Sequence, residues 1–336
     1  MRIGFWPPVY GNWIMTDDTA LCDASFAHCR AAARLAERLG FDTLLLAEHF
    51  INPLGASLDQ LDAWTTAAAL AESTERIEIL AAVKPGFRAP GVVAKMGANI
   101  DRISNGRFAV NLVSAWWPPE YEMLGAQALT HDDRYARALE YISIIKGLWT
   151  QSEFSFEGKY YQVRGATIAP KPVRSPHPTI YMGGESEAGK ELAASVADIY
   201  LLNGRPSEDL TPIIADMDRR ATARGRELRY GIAGFVICRS TDSGAQGELE
   251  RLAGLKHGKV LGGDPQTVMH KSDPVSRLRV GINGGTDARL VGSPHRIADQ
   301  LHRFSAMGIE TFLLQFHPTL EELERFGVEV MPLLRT

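Results

Sequence analysis

The chain has 336 residues, of which 45% are apolar and 23% charged, and its formal net charge is -4 at pH 7. That is enough apolar material for a large core and too much for wholesale disorder, and the mild negative charge without a dense basic cluster argues against a nucleic-acid partner. Three scattered cysteines, Cys22, Cys29 and Cys238, give neither a disulfide framework nor a zinc spacing.

In chain order, a strand over residues 2–6 stops at Pro7-Pro8, and a polar aromatic loop with Tyr10, Asn12 and Trp13 follows. A strand beginning this early leaves no room for an export signal, and no apolar run is long enough to cross a bilayer, so a reducing cytoplasm is the expected setting. Asp23 or Ser25 is placed to cap a helix over 26–39, which Gly40 ends. An apolar strand over 42–47 exits at Glu48-His49. The same alternation continues with a helix over 58–72, a strand over 76–83, a helix over 91–103 and a strand over 107–113. Pro118-Pro119 reads as the turn that closes this last stretch, and a long helix spans 132–149.

Residues 152–178 break the rhythm with a hairpin over 154–163 and a proline-rich return. A strand over 179–182 then opens through Gly183-Gly184-Glu185-Ser186 into a helix ending at Ser195. A strand over 198–202, a helix capped by Ser207 and ending near Gly225, a strand over 230–238 and a helix over 244–257 complete seven units. Residues 258–290 mix Gly, Asp, Pro, Ser and Arg with little periodicity, as a long mobile loop over an active site does. The eighth unit is a helix over 294–308, a strand over 311–316 and a helix over 320–333. Eight strands alternating with helices predict an α/β fold, a (β/α)8 TIM barrel formed by residues 1–336 as a single domain, with insertions after strands 4 and 7. An open doubly wound sheet is the alternative.

In such a barrel the carboxyl ends of the strands carry the chemistry. The stretch RFAVNLVSAWW delivers Asn111, Ser114, Trp116 and Trp117 to one strand end, a set suited to a planar polar ligand. Gly183-Gly184-Glu185-Ser186, between strand and helix, is a phosphate-binding arrangement. There is no G-x-G-x-x-G after the first strand, no G-K-S or G-K-T, and no H-E-x-x-H, so a dinucleotide fold, a nucleotide triphosphatase and a local metal site all lack support. His302 reads as structural. His317 leaves the eighth strand into Pro318 and belongs on the catalytic face.

Several motifs in order, IDRISNGRFAVNLVSAWWPPEYEMLG from Ile100 to Gly125, HDDRY from His131, YMGGES from Tyr181 and LVGSP from Leu290, resemble the bacterial luciferase-like flavin monooxygenases. The resemblance spans nearly the whole chain and is to the group that holds the alkanesulfonate, dimethylsulfone and pyrimidine monooxygenases. It implies a TIM barrel that takes reduced FMN (FMNH2) from a separate NAD(P)H-dependent flavin reductase, uses O2 as co-substrate, and assembles as a homodimer or homotetramer. Carried onto this chain, the flavin contacts it implies are Ala47, Glu48, Asn111, Glu120, Arg134, Tyr135, Gly184 and Ser186. Trp6, Trp116, Phe235 and Asn283 then border the substrate, with Tyr10, Asn12 and His317 as hydrogen-bonding or proton-transfer groups.

The departures from that group narrow the substrate. Alkanesulfonate monooxygenases clamp the sulfonate with arginine and histidine, and the matching positions here are Ala233, Phe235 and Asn283. A guanidinium pairs bidentately with an oxyanion and an amide does not. Arg277, Arg279 or Arg289 keeps a sulfonate open, but an uncharged sulfone fits better. The expected function is therefore FMNH2-dependent oxygenation of a small organosulfur compound with C–S cleavage. Ring opening of a pyrimidine-like amide, hydride transfer with deazaflavin F420, and a non-catalytic flavin-binding protein are the alternatives.

Overall fold

Short apolar runs become strands and capped amphipathic segments become helices, alternating along the chain. The computed structural model describes residues 1–14, 23–52, 55–114, 117–126, 129–255 and 285–335. The first half comprises β1 (Arg2–Phe5), α1 (Phe26–Leu39), β2 (Thr43–Leu46), α2 (Ala63–Ser73), β3 (Glu78–Val83), α3 (Pro90–Ile103), β4 (Phe108–Leu112), α4 (Pro118–Met123) and α5 (His131–Thr150). After an antiparallel hairpin of β5 (Phe154–Glu157) and β6 (Gln162–Ala166) come β7 (Thr179–Gly183), α6 (Glu187–Val196), β8 (Ile199–Leu202), α7 (Ser207–Thr222), β9 (Arg229–Phe235), β10 (Ile237–Cys238) and α8 (Asp242–Ala253). A 3-10 turn (Gly285–Ala288), β11 (Val291–Gly292), α9 (Pro294–Ala306), β12 (Ile309–Gln315) and α10 (Thr319–Glu329) close the chain.

Eight strands form a closed, all-parallel barrel in the order β1-β12-β9-β8-β7-β4-β3-β2. The eightfold barrel read from the sequence is therefore the architecture. The excursion expected over 152–178 holds the β5–β6 hairpin, and β10 pairs with β11 outside the barrel. Residues 256–284, most of the long loop expected over 258–290, lie outside the described residues, as do Trp116, Asn283, Arg277 and Arg279. Among the described residues no helix is long and apolar enough to cross a membrane.

Four local expectations need correction. Pro118-Pro119 starts α4 instead of closing a turn, because proline at the first helical positions lacks only an N–H that has no helical partner there. The helix expected from residue 58 begins at Ala63, where Asp62 accepts from the Thr65 amide. Pro206, not Ser207, is the residue before α7, so Ser207 lies inside the helix. The seventh strand is two, since the chain leaves the barrel at Val236 and pairs again at Ile237 with a different partner.

Strand side chains alternate between the barrel interior and the helices. Tyr230 reaches outward to Asp218 on α7 (2.6 Å), which turns Gly231, Ala233 and Phe235 inward. Phe108 packs on Trp64 of α2, which turns Ala109 and Asn111 inward. Glu78 meets the Tyr181 hydroxyl across the lumen (2.8 Å), so Leu80, Ala82 and Lys84 follow on its side. Near the amino-terminal end, a Cβ on Gly4 would lie 2.4 Å from Thr43 Cγ2, so the interior there is filled to contact.

Candidate active site

At the carboxyl ends of β2, β3 and β4 the same alternation brings charged groups together. His49 lies three residues beyond β2 and Lys84 one residue beyond β3, and both are buried. Glu120 reaches them from α4 and is itself fully buried. Its Oε1 accepts from the Phe50 amide (2.6 Å) and lies 3.1 Å from His49 Nδ1, while its Oε2 accepts from Lys84 Nζ (2.5 Å). Lys84 Nζ is also 3.3 Å from His49 Nδ1. Glu48, the neighbouring residue, is turned the other way: it accepts from the Lys84 amide (2.6 Å) and pairs with Arg88, which also binds Asp62.

Burial sets the charge states. It pushes His49 down to about 4, with the Lys84 ammonium adding to the effect and Glu120 opposing it, so His49 is neutral at pH 7. Burial alone would raise Glu120, yet His49 and Lys84 outweigh it and hold the carboxyl below its ordinary range. Glu48 is raised by burial, against Arg88 and Lys84. An ionised carboxylate touching a neutral imidazole is the geometry of a proton carrier and the group that orients it.

Aromatic residues wall this cluster. The Tyr10 ring packs edge-on against Trp13 (4.7 Å between centroids) and His49 (6.2 Å), Trp13 packs on Trp6 (5.3 Å), and His49 packs on Trp117 (6.0 Å). Asn12 is buried, and its Oδ1 accepts from the Ile14 amide (2.8 Å), which fixes the loop. Ala47 faces inward on β2's side of the lumen. Asn111 is buried on the inward face of β4, and its Oδ1 has no hydrogen-bond partner among the described residues; the same holds for Ser114 Oγ and Trp6 Nε1. Such groups are costly to bury unmatched, and a polar ligand could satisfy them.

The adjacent barrel strand, β7, carries the second half of the site. It pairs with β4 so that Asn111 faces Tyr181, and Ser186 follows on the same rim. Gly184 has φ +146°, a conformation that L side chains rarely adopt. A Cβ there would fill the space between Gly189 Cα (3.4 Å) and the Tyr135 hydroxyl (3.7 Å). Ser186 caps α6, its Oγ accepting from the Gly189 amide (3.1 Å) and keeping its own proton to donate. Tyr200 fixes the turn from beneath by donating to the Gly184 carbonyl (2.6 Å). Arg134 and Tyr135 sit in the first turns of α5, which Thr130 caps. Glycine backbone, helix amino terminus, serine and tyrosine together make a cradle for a phosphate group.

The remaining expected residues are spread around the rim. Phe235 is fully buried and faces inward at the end of β9, opposite Gln315 of β12. His317 is buried just beyond β12, with Arg251 and Glu248 of α8 and Glu321 of α10 as its charged neighbours. Burial, aided by Arg251, pushes it down to about 4. Lys84 was missed in the sequence, and His49 was noted there only at the exit of a strand, with no role in the site. The signal for both was strand parity, since each lies an even number of residues from an inward-facing position. Among the described residues no group of three His, Cys, Asp or Glu is placed to hold a metal ion.

Residues 1–311 match the family described as luciferase-like monooxygenase. The chain belongs to that family. An FMNH(2)-dependent dimethylsulfone monooxygenase of Pseudomonas putida is 33% identical over 347 residues, covering 100% of this chain and 95% of the relative. Its counterpart from Pseudomonas fluorescens (strain Pf0-1) is 31% identical, covering 100% and 94%. Among solved structures, a long-chain alkane monooxygenase superposes with a TM-score of 0.83 at 21% identity, over 100% of this chain and 91% of that one, a likeness of fold. The buried charges and the Gly184–Ser186 turn of this monooxygenase lie at the carboxyl ends of the strands, the face where a (β/α)8 enzyme works.

Proposed function

We propose that the chain is the oxygenase of a two-component system, binding FMNH2 supplied by a separate NAD(P)H-dependent flavin reductase and using O2 to oxygenate a small organosulfur compound, a neutral sulfone before a sulfonate, with C–S cleavage. The residues present fit FMN. The unmatched Asn111 Oδ1 suits a donor on the flavin's amide edge, and the Gly184–Ser186 cradle with Tyr135 and Arg134 suits its phosphate. When bound, reduced flavin would supply two electrons to O2, of which one atom enters the substrate and the other leaves as water.

The chain supplies everything else. Asn111 and the cradle orient the ring, with Ala47 as a small apolar contact that lets it approach. Trp6, Trp13, Tyr10 and Trp117 exclude water, which protects a reactive centre from hydrolysis. Neutral His49, oriented by Glu120, holds or accepts a proton, and Glu48 steadies the loop below through Lys84 and Arg88. His317, across the barrel, is the second proton carrier, also neutral at pH 7. The assembly expected is a homodimer or homotetramer, which sedimentation reads directly.

The observation that carries the choice of substrate is the uncharged inward surface of β9, Ala233 and Phe235, where an oxyanion clamp would need a cation. The test supplies a flavin reductase, NADH, FMN and O2 with dimethylsulfone, a short alkanesulfonate or uracil. Consumption of the sulfone with sulfinate formation is expected. Sulfite release from the alkanesulfonate without sulfone turnover overturns the reading.

A further inference from the structure

We infer that Lys84 is a positioning residue that sets the tautomer of His49, because Lys84 and Glu120 make opposite demands on the same ring nitrogen. His49 Nδ1 is 3.1 Å from Glu120 Oε1 and 3.3 Å from Lys84 Nζ. A carboxylate only accepts and an ammonium only donates. Glu120 therefore favours a proton on Nδ1, which leaves Nε2 as a lone pair. Lys84 favours a bare Nδ1, which puts the proton on Nε2.

Neither partner can turn aside. Glu120 is fixed by the Phe50 amide (2.6 Å) through the oxygen that faces His49, and by Lys84 through the other. Lys84 is fully buried, its backbone amide is held by Glu48 (2.6 Å), and its ammonium lies over the Phe87 ring (5.1 Å). Among the described residues, the ionisable side chains packed against His49 include Tyr10 from the loop after β1, Lys84 from the end of β3 and Glu120 from α4, while Glu48, beside it in the chain, is turned away. Glu48 is committed to Arg88, and burial keeps the Tyr10 hydroxyl protonated, so the opposing demands at Nδ1 are those of Lys84 and Glu120. The consequence is a neutral imidazole whose two tautomers are close in energy. When Nε2 takes a proton from a donor, Nδ1 can release its own to the Glu120 carboxylate, so the imidazole stays neutral and the carboxylate takes the change of charge. Glu120 alone would lock one tautomer and draw in a second proton.

This rests on the proposed function only for the use made of the proton; the tautomer itself is measured on the flavin-free chain. Protein labelled with ¹⁵N-histidine is examined by NMR, and the His49 signals among the nine histidines are identified by their loss in H49Q. In wild type both His49 nitrogens are expected at averaged positions between the protonated and bare limits. Lys84→Met collapses them to the Nδ1–H tautomer and raises the pH at which His49 becomes charged by at least one unit. Glu120→Gln, which keeps a hydrogen-bonding side chain and serves if the methionine variant does not fold, moves the balance the other way, toward Nε2–H. A single fixed tautomer in wild type, or one that neither substitution shifts, overturns the role of Lys84 and leaves the flavin-binding reading standing.

Discussion

At the amino-terminal end of the barrel Glu78 is held by Arg2 (3.2 Å), Arg174 (2.8 Å) and the Tyr181 hydroxyl (2.8 Å). At the carboxyl end Glu120 is held by Lys84 (2.5 Å), His49 (3.1 Å) and the Phe50 amide (2.6 Å). Both are buried carboxylates with three partners, but the partners differ in kind. Arginine stays charged at any pH a protein meets, so the lower cluster keeps one protonation state above about pH 4.3 and serves as a plug. Lysine and histidine lose or gain protons when buried, so the upper cluster can change state, and next to it Asn111 awaits a polar group. Equal burial thus gives a fastening at one end and, on the proposed function, a working site at the other.

The sharpest way to break this contrast is to remove one member from each end. His49→Gln should lower turnover by about 10²–10⁴-fold, the usual range for losing a positioned proton carrier, with the flavin still bound. Glu78→Gln should leave turnover intact and cost about 2–3 kcal/mol in denaturant unfolding, less than for a sealed ion pair because Arg2 and Arg174 are each about a third exposed. Equal loss of turnover in the two variants would erase the distinction.

The ends should also separate by pH. Burial opposes ionisation of Glu78, but Arg2 and Arg174 outweigh it and hold its carboxyl below the ordinary range. Its contribution to stability is therefore complete above about pH 4.3 and is lost as pH falls through the lower, folded value. His49 and His317 are each pushed down to about 4, so the unfolded chain binds protons that the folded chain refuses below about pH 6.5. Stability should fall from pH 6.5 toward 4 in wild type, less steeply in His49→Gln, with a further drop near pH 4 that Glu78→Gln lacks. Thermal melts across that range read both limbs.

A smaller effect is expected in the phosphate cradle. Gly184→Val should cost about 1–3 kcal/mol through its positive φ and weaken FMN binding by filling the cradle, and Ser186→Ala should cost about 1 kcal/mol as a lost helix cap. Stability loss without weaker FMN binding in either would reduce the cradle to a turn.

How much of this was legible in the sequence follows from the range of the forces involved. The extent of α1 was legible, with the cap left between Asp23 and Ser25, because Ser25 and Gly40 are local signals that act through the backbone beside them. The Gly-Gly-Glu-Ser turn was legible for the same reason. The α4 helix was not, since Pro118-Pro119 starts a helix or ends a strand with equal ease and only Glu120 meeting Lys84 and His49 decides between them. Lys84 was invisible as a site residue because nothing near it in the chain announces burial of an ammonium. Its partners come from β2 and α4, and they meet only once the barrel closes.

The most direct measurement is an anaerobic titration of the purified chain with FMNH2, followed by absorbance or fluorescence, for wild type, Asn111→Leu, Gly184→Val and Glu78→Gln. Saturable binding by wild type and Glu78→Gln, weakened at least tenfold in the Asn111 and Gly184 variants, is the predicted result. No saturable binding by wild type, or the same affinity in all four proteins, would contradict the assignment of this rim as the flavin site.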